Sequence, residues 1–170
     1  MKVILYMSTT INGLIATEED NTDFVSEIEW KNFMDIIKKV GNMIIGKRTY
    51  EIMYKNNEFS KMDRIKIFVL THKLIKSNNP NLIFTSQTPK EVLNTIKGLG
   101  YKEALVCGGG KLNSSFMKEN LIDEIYLDIE PKAIGKGICL FANSNFNIDL
   151  ELIDFTQLSK NEIQLHYKII

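Results

Sequence analysis

The sequence predicts an α/β fold with three layers, in which helices cover both faces of a central mixed, mostly parallel sheet. Short apolar runs alternate with stretches of helical periodicity in the first two thirds of the chain. Parallel strands covered on both faces lose their polar alternation and become continuous apolar runs. After residue 120, apolar and polar residues alternate instead, and a short polar turn separates the last two such stretches. That pattern predicts an antiparallel hairpin at the C-terminus.

The strands are predicted from these two patterns. The parallel strands are residues 3–7, 43–45, 65–70 and 104–107; the later strands are residues 125–129, 150–158 and 163–169, with a turn at 159–161. Parallel neighbours need crossover connections, which are usually helical. The sequence shows no linker, repeat or low-complexity tract, so residues 1–170 are predicted to form a single domain.

The helices are predicted from their end signals. Ser26 and Glu29 have the spacing of a capping box, and apolar residues at helical spacing follow as far as Gly41. Thr88 begins another helix, because Pro89 needs no donor at the first helical position and Glu91 closes a second capping box. Further helices are expected after residue 46 and over residues 111–118.

Composition narrows the classes of function. The chain has 21 basic and 21 acidic residues, which disfavours binding to nucleic acid or to a membrane surface. The apolar run at residues 3–7 is too short to span a bilayer and lacks a cleavage site, so a cytoplasmic protein is expected. Cys107 and Cys139 lack metal-ligand spacing, and the two histidines are isolated. No metal site is therefore predicted, and both thiols are expected to be buried and reduced.

The strongest chemical signal is Gly108, Gly109 and Gly110, which lie between a predicted strand and a predicted helix. Glycine lets the backbone approach a pyrophosphate closely, and a helix N-terminus favours an anion. Asn113 or Ser114 would add side-chain bonds to phosphate or ribose. The alternative is a tight turn without a ligand. Leu112 stands where a P-loop needs Ser or Thr, so a P-loop is not predicted.

Two more strand ends carry residues suited to phosphate. Gly46, Lys47, Arg48 and Thr49 combine a small residue, two cations and a hydroxyl, and Thr71 and His72 follow the next strand. Ligands of open α/β sheets lie beyond the carboxyl ends of the strands, so these residues are expected at one edge. Lys47 and Arg48 taken alone are more typical of a solvated cationic turn, and it is their pairing with the glycine triplet that favours phosphate binding.

A loop at residues 8–16 follows the first strand and has the character of a segment that closes over a ligand. Its continuation carries four acids, which are predicted to be merely solvated. They are Glu18, Glu19, Asp20 and Asp23.

These segments together resemble the dihydrofolate-reductase-like superfamily, and within it the reductase domain of bacterial riboflavin biosynthesis and its stand-alone relatives. The matching residues are 12–15, 45–51, 69–71 and 106–110, with 121–127 beyond them, so the resemblance covers nearly the whole chain. It implies a dihydrofolate-reductase-like fold, an NADPH-dependent reductase and a homodimer. The residues that it implies for the dinucleotide are Ser8 and Ile15 beside the nicotinamide, and Gly46, Lys47, Arg48, Thr49, Thr71, His72, Gly108, Gly109, Gly110, Lys111 and Leu112 along the rest.

Two residues are catalytic candidates. Asn12 stands where riboflavin-type relatives usually carry Asp, and we expect it to contact the substrate. Dihydrofolate reductases carry a carboxylate on the first helix, and Glu29 falls close to that place. Because a Glu cannot cap its own helix and also reach a buried substrate, the capping role is favoured for Glu29 and the catalytic role stays open. Proton donation at neutral pH would require a pKa raised by burial.

The predicted function is hydride transfer from NADPH to a small pyrimidine- or pteridine-like metabolite, resembling 5-amino-6-(5-phosphoribosylamino)uracil reductase. NADPH is preferred to NADH because nearby cations would neutralise a 2′-phosphate. Two alternatives remain open. One is dihydrofolate reductase, and the other is a catalytically silent protein that keeps only the nucleotide groove.

Overall fold

The computed structural model describes residues 1–73 and 75–170, and within them the chain forms ten strands and four α-helices. The strands are β1 Lys2–Thr10, β2 Leu14–Thr17, β3 Asn42–Gly46, β4 Lys66–Leu70, β5 Leu82–Thr85, β6 Glu103–Val106, β7 Glu124–Glu130, β8 Gly137–Cys139, β9 Leu150–Gln157 and β10 Ile163–Ile169. The helices are α1 Glu27–Val40, α2 Lys47–Lys55, α3 Pro89–Gly98 and α4 Gly110–Lys118, and Glu58–Lys61 forms one 3₁₀ turn.

Eight strands form the central sheet in the order β5-β4-β3-β6-β1-β7-β10-β9. Every neighbouring pair from β5 to β7 is parallel, whereas β10 runs antiparallel to both β7 and β9. The predicted fold class, a mostly parallel sheet completed by a C-terminal hairpin, is therefore confirmed. Strands β4, β3, β6 and β1 are consecutive and parallel in the sheet. Residues 70, 46 and 107, at the carboxyl ends of β4, β3 and β6, therefore come to one edge.

The helices divide between the two faces of the sheet, as predicted. Phe33 and Ile37 of α1 pack with Met53 of α2 on one face. On the other face, Ile96 of α3 packs in one cluster with Phe116 of α4. The strands between them are covered on both sides, which explains their continuous apolar sequences.

The helix ends agree with the sequence signals except at one point. At α3, Thr88 and Glu91 form the reciprocal capping box, and at α1 the left-handed Gly41 (φ 78°) ends the helix. The Ser26 hydroxyl accepts a hydrogen bond from the Glu29 amide over 3.0 Å, but the Glu29 carboxyl does not return to the cap. The predicted capping box at α1 is therefore only half present.

Three short strands were not predicted. Strand β5 adds a parallel edge beside β4, and β2 pairs antiparallel with β8 in a separate two-stranded ribbon. Strands of three or four residues carry too little periodicity to be recognised in a sequence. The ribbon turns the predicted loop at residues 8–16 into ordered structure at the edge of the site.

Two expectations about surface and interior can be compared with the structure. Cys107 is buried and Cys139 is exposed, and neither is in a disulfide, so the expectation of two buried thiols is wrong for Cys139. Within residues 1–73 and 75–170, no helix has both the length and the apolar character that crossing a bilayer requires.

Candidate active site

One large cavity of about 1360 Å³ opens where the parallel strands end. Strand ends β1, β3 and β4 contribute to its wall, and so do the N-terminal residues of α1, α2 and α4. Pockets for a single small ligand usually measure roughly 300–1,000 Å³. The cavity therefore has room for a dinucleotide together with a second small molecule.

Most residues that the sequence assigns to the cofactor are brought together in this cavity. Its lining includes Ser8, Ile15, Gly46, Lys47, Arg48, Thr49, Thr71, His72, Gly109, Gly110, Lys111 and Leu112. Gly108 lies behind the lining, where its carbonyl accepts a hydrogen bond from the Gly46 amide over 2.8 Å. Residues from three separate strand ends thus share one concave surface.

The glycine loop packs closely on the protein at Gly108 and leaves the start of α4 uncapped at Gly109. Gly108 has a φ of 87°, and a side chain there would meet the Met7 sulfur at 2.9 Å. Gly109 is the N-cap of α4 and Gly46 is the N-cap of α2, and neither helix has a side-chain cap. The first amides of a helix have no partners within the helix. Two uncapped helix N-termini therefore face one cavity, an arrangement that favours bound anions.

Asn113 and Ser114 have another role than the one predicted. The Asn113 amide donates to the Leu140 carbonyl and the Ser114 hydroxyl donates to the Ala142 carbonyl, both over 2.9 Å. Both side chains are buried against the segment after β8. They hold that segment beside Gly110, so the expectation that they bind phosphate or ribose is wrong.

Asn12 lies outside the cavity lining. Its side chain is exposed and bridges two loops: Nδ2 donates to the Ile134 carbonyl over 2.7 Å, and Oδ1 accepts from the Thr10 hydroxyl over 2.8 Å. In this structure Asn12 therefore joins two segments of the chain, and neither Thr10 nor Ile134, the partners of its side chain, lines the cavity. Its expected contact with substrate stays a prediction.

The acidic segment after β2 is not merely solvated. Asp20 forms an ion pair with the Arg48 guanidinium, which also donates to the Glu18 carbonyl. Asp20 and Asp23 both line the cavity. The expectation of four solvated acids is wrong for Asp20, because the fold brings this segment against the start of α2.

Glu29 is an acidic residue in the wall of the cavity, which the cations Lys47 and Arg48 also line. Its exposed fraction is 5 %, and it lines the cavity on the first turn of α1. Burial, together with the nearby carboxylates Asp128 and Glu130, raises the pKa of its carboxyl to about 8. The side chain therefore retains a proton near neutral pH and can give it to a group in the cavity.

The Glu29 carboxyl does not cap α1, because the Ser26 amide has another hydrogen-bond acceptor. The Ser26 amide, which a capping Glu would accept from, donates instead to Glu130 Oε1 over 3.0 Å. Glu130 lies on β7, more than 100 residues away in the chain. The capping role favoured from sequence is therefore wrong for the Glu29 carboxyl.

An aromatic surface surrounds Glu29. Trp30 and Phe33 line the cavity with ring centroids 5.6 Å apart. The 3₁₀ turn supplies Glu58 and Lys61, and the Lys61 ammonium lies 5.6 Å from the centre of the Trp30 ring. A flat heterocycle would find an apolar face here together with one acid that can donate a proton.

Sequence reasoning missed two functional candidates, Tyr6 and Asp128. The Tyr6 hydroxyl donates to Asp128 Oδ2 over 2.6 Å, and both residues are 2 % exposed. Tyr6 lines the cavity beside Glu29. The sequence does show that polar residues alternate with apolar ones along β7. It does not show that α1 covers the polar face, and this covering is what buries Asp128.

Ser8 provides a test of whether a cofactor fits. Its hydroxyl oxygen is buried and has no hydrogen-bond partner within the protein, and Ser8 lines the cavity. An unpaired buried hydroxyl is costly unless a ligand or water satisfies it. Together with the two glycine-capped helix ends, this orphaned hydroxyl fits a dinucleotide that carries an amide at one end.

Comparisons with known proteins agree with this geometry. The family model described as the RibD C-terminal domain matches residues 1–164. The uncharacterized protein YwjB of Bacillus subtilis is 27% identical over 170 residues, which cover 98% of this chain and 97% of that protein.

Two solved structures share the fold. The deaminase and 5-amino-6-(5-phosphoribosylamino)uracil reductase of Thermotoga maritima superposes with a TM-score of 0.77 at 14% identity, covering 99% of this chain and 56% of that one. Dihydrofolate reductase of Enterococcus faecalis, solved with NADP(H), superposes with a TM-score of 0.74 at 13% identity, covering 99% of this chain and 96% of that one. The fold is therefore dihydrofolate-reductase-like, as the sequence resemblance implied.

Proposed function

Because this chain belongs to the RibD C-terminal domain family, we propose that it is an NADPH-dependent reductase of a small pyrimidine- or pteridine-like metabolite. One observation carries the proposal. A single cavity combines two uncapped helix N-termini at Gly46 and Gly109 with the buried carboxyl of Glu29, whose pKa is raised by burial. Anion-binding ends suit the pyrophosphate of a dinucleotide, and a proton donor suits the reduction of a ring C=N bond.

The coenzyme would lie along the glycine loops. Gly109 leaves its pyrophosphate room at the start of α4, Thr49 offers a hydroxyl, and Ser8 offers its unpaired hydroxyl to the carboxamide. When bound, the nicotinamide supplies a hydride. The protein's own contribution is to hold the two reactants in contact, exclude water and provide a proton from Glu29.

NADPH is proposed over NADH on the basis of charge. Lys47, Arg48 and His72 all line the cavity, at the ends of neighbouring parallel strands. Guanidinium and ammonium groups recognise a phosphate, whereas a free 2′-hydroxyl is normally bound by an acid. Two acids lie beside this cluster and both are already paired, Asp20 with Arg48 and Glu51 with Lys47.

The substrate class follows from the surface around Glu29. Trp30 and Phe33 supply aromatic area, and the Glu29 carboxyl supplies a proton and an acceptor. Planar nitrogen heterocycles match that combination, because they stack on aromatic rings and present ring nitrogens at their edges. We keep Asn12 as a proposed substrate-side residue that would have to exchange its contact with Ile134.

Dihydrofolate is a second candidate substrate, favoured by the burial of Glu29 on α1 at the cavity wall. The carboxylate of dihydrofolate reductases occupies a similar place on the first helix. Turnover of dihydrofolate and tight binding of antifolates would favour this candidate over the riboflavin-type substrates.

The test begins with calorimetric titration of NADPH and NADH into the protein. We expect NADPH to bind and NADH to bind more weakly. NADPH oxidation is then followed with dihydrofolate and with a panel of reducible pyrimidines and pteridines. Binding without oxidation of NADPH across the panel would support a catalytically silent nucleotide-binding protein. Absence of heat with either coenzyme would refute the reductase.

We also propose that two copies of the chain pair through the C-terminal hairpin. Strand β9 is the sheet edge, and it exposes Leu150, Leu152, Ile153 and Phe155. Exposed edge strands offer unpaired backbone groups, and contiguous apolar patches commonly mark interfaces. A second copy would cover both.

A further inference from the structure

Two buried carboxyls, those of Asp128 and Glu29, lie near the hydroxyl group of Tyr6. The Tyr6 hydroxyl donates to Asp128 Oδ2 over 2.6 Å and accepts from Asn32 Nδ2 over 3.3 Å, and Tyr6 lines the cavity together with Glu29. Asn32 Nδ2 donates to the same Asp128 oxygen over 3.1 Å, and Gln164 Nε2 donates to the other over 2.7 Å. Tyr6 and Asp128 are therefore held in one arrangement, with Glu29 on the cavity side.

The number of protons limits how Tyr6, Asp128 and Glu29 can be hydrogen-bonded to one another. A phenol has one proton and can donate it to only one carboxylate at a time. If the hydroxyl of Tyr6 donates to Asp128, the carboxyl of Glu29 has no donor and faces a negative neighbour unless it is itself protonated. A protonated Glu29 can instead donate to the Tyr6 oxygen, which satisfies all three groups.

We propose that Glu29 and Asp128 share one proton through the Tyr6 hydroxyl, and that Glu29 passes this proton to a ring nitrogen of the bound substrate. Asp128 is a positioning residue, because it is absent from the cavity lining and acts through Tyr6. The part of the proposal concerning substrate rests on the proposed reductase function. The sharing of the proton does not.

Glu29 would give its proton to the ring nitrogen, while a bound nicotinamide coenzyme would supply the hydride for the adjacent ring carbon. The C=N bond would become C–N with one hydrogen on each atom, leaving the oxidised coenzyme and the Glu29 carboxylate. The Tyr6 proton can then turn from Asp128 to Glu29, and water returns one proton to the pair before the next turnover.

The neighbouring charges favour one shared proton over none. Glu130 and Glu58 both raise the pKa of Glu29, and Glu162 raises that of Asp128. Cys107 packs on the same side of the sheet, and its thiol is neutral because burial raises its pKa. Glu29 and Asp128 ionised together would place two charges in a desolvated region that already holds Glu130.

The experiment is a carbon-13 NMR titration of the side-chain carboxyls in the protein without coenzyme, with Glu29→Gln used to assign the Glu29 signal. We compare the wild type, Asp128→Asn, Tyr6→Phe and the double variant. In Asp128→Asn we expect the Glu29 midpoint to fall by about one pH unit or more. Asparagine removes the negative charge and frees the Tyr6 proton for Glu29. On the Tyr6→Phe background the same substitution should shift the midpoint less.

Glu130→Gln is the matched control. It removes a buried carboxyl from the same strand, two residues from Asp128, without touching the Tyr6 hydroxyl. A smaller shift of the Glu29 midpoint in Glu130→Gln than in Asp128→Asn supports the shared proton. An unchanged Glu29 midpoint in Asp128→Asn overturns it, and so does an Asp128→Asn shift of equal size with and without Tyr6.

Should Asp128→Asn fail to fold, Tyr6→Phe decides. Sharing predicts that Glu29 and Asp128 titrate in two coupled steps in the wild type, and that the two steps lie closer together in Tyr6→Phe. An equal separation of the two steps in both proteins overturns the proposal. These titrations need no coenzyme, so a protein that fails to bind NADPH would refute the proposed function and leave this result standing.

Discussion

The Ser26 amide donates a hydrogen bond to Glu130 Oε1 over 3.0 Å, and this contact leaves the Glu29 carboxyl free to line the cavity. A Ser followed three residues later by Glu normally satisfies its own helix end. Here β7 supplies the acceptor, because the sheet carries Glu130 beneath the start of α1. A local motif has thus been divided between two distant parts of the chain, and one of its members has become available for chemistry.

The first prediction concerns Glu29→Gln. Folding raises the pKa of Glu29 from 4.5 to about 8, so its contribution to stability is fully present below pH 4.5 and is lost as the pH rises towards 8. Glutamine does not ionise. The variant should therefore be more stable than the wild type at pH 8 by on the order of 1–3 kcal/mol, with a smaller difference at pH 4. Urea unfolding at both pH values measures this.

The same variant should lose turnover by about 10²- to 10⁴-fold if Glu29 is the proton donor. Glu27→Gln serves as the control for stability, because Glu27 is exposed on the same helical turn. A Glu29→Gln protein that is less stable at pH 8, or that turns over normally, would contradict the role assigned to the carboxyl.

The second prediction concerns Arg48→Ala. Removing a charge-assisted contact to the 2′-phosphate costs about 1.5–3 kcal/mol, so the Kd for NADPH should rise about 10- to 100-fold and that for NADH should change little. Calorimetry with both coenzymes measures the difference. Lys55→Ala, at the other end of α2, should leave both affinities unchanged. Equal losses for the two coenzymes would refute the assignment.

The third prediction concerns Asp20→Ala. Asp20 pairs with Arg48, whose side chain is 57% exposed, and an exposed ion pair is worth about 0.2–1 kcal/mol. Freeing the guanidinium should strengthen NADPH binding by up to about fivefold at low salt. The gain should shrink as salt screens the pair. Weaker binding in Asp20→Ala would show that the segment after β2 contributes directly to the coenzyme site.

The fourth prediction concerns Gly109→Ala. An added Cβ would lie 3.4 Å from the Thr49 hydroxyl and 3.7 Å from an Ile15 methyl, so the protein can accommodate it, yet it would project into the cavity. We expect a folded protein whose NADPH affinity falls at least about tenfold, because the pyrophosphate loses its close approach. Gly98→Ala, where no atom lies within 4 Å, is the control. Unchanged affinity would place the pyrophosphate elsewhere.

The fifth prediction concerns Phe155→Asp on the edge strand β9. Phe155 is 66% exposed, so the substitution should leave the monomer's fold intact while placing a charge in the proposed interface. We expect the wild type to sediment as a dimer and the variant as a monomer. A monomeric wild type would refute the proposed pairing, and a dimeric variant would move it to another surface.

Much of the fold was predictable because its signals are local. The buried strands around Ile44 and Leu105 form continuous apolar runs, and the cap at Thr88 carries its own partner at Glu91. Strand β2 could not be predicted, because its four residues are ordered by pairing with β8, more than 100 residues later. Cys139 was misjudged for the same reason: its exposure depends on that ribbon.

The sequence by itself determined the α/β class and the glycine loops, since each of these depends on a few adjacent residues, and it predicted the residues for a dinucleotide from the same local signals. Only the tertiary structure decided what the acids do. Glu29 leaves its cap, Asp20 meets Arg48 and Asp128 lies behind Tyr6 because strands distant in the chain become neighbours in the sheet. The physical reason is that the state of a carboxyl depends on burial and on nearby charge, and both are set by residues far away in the sequence.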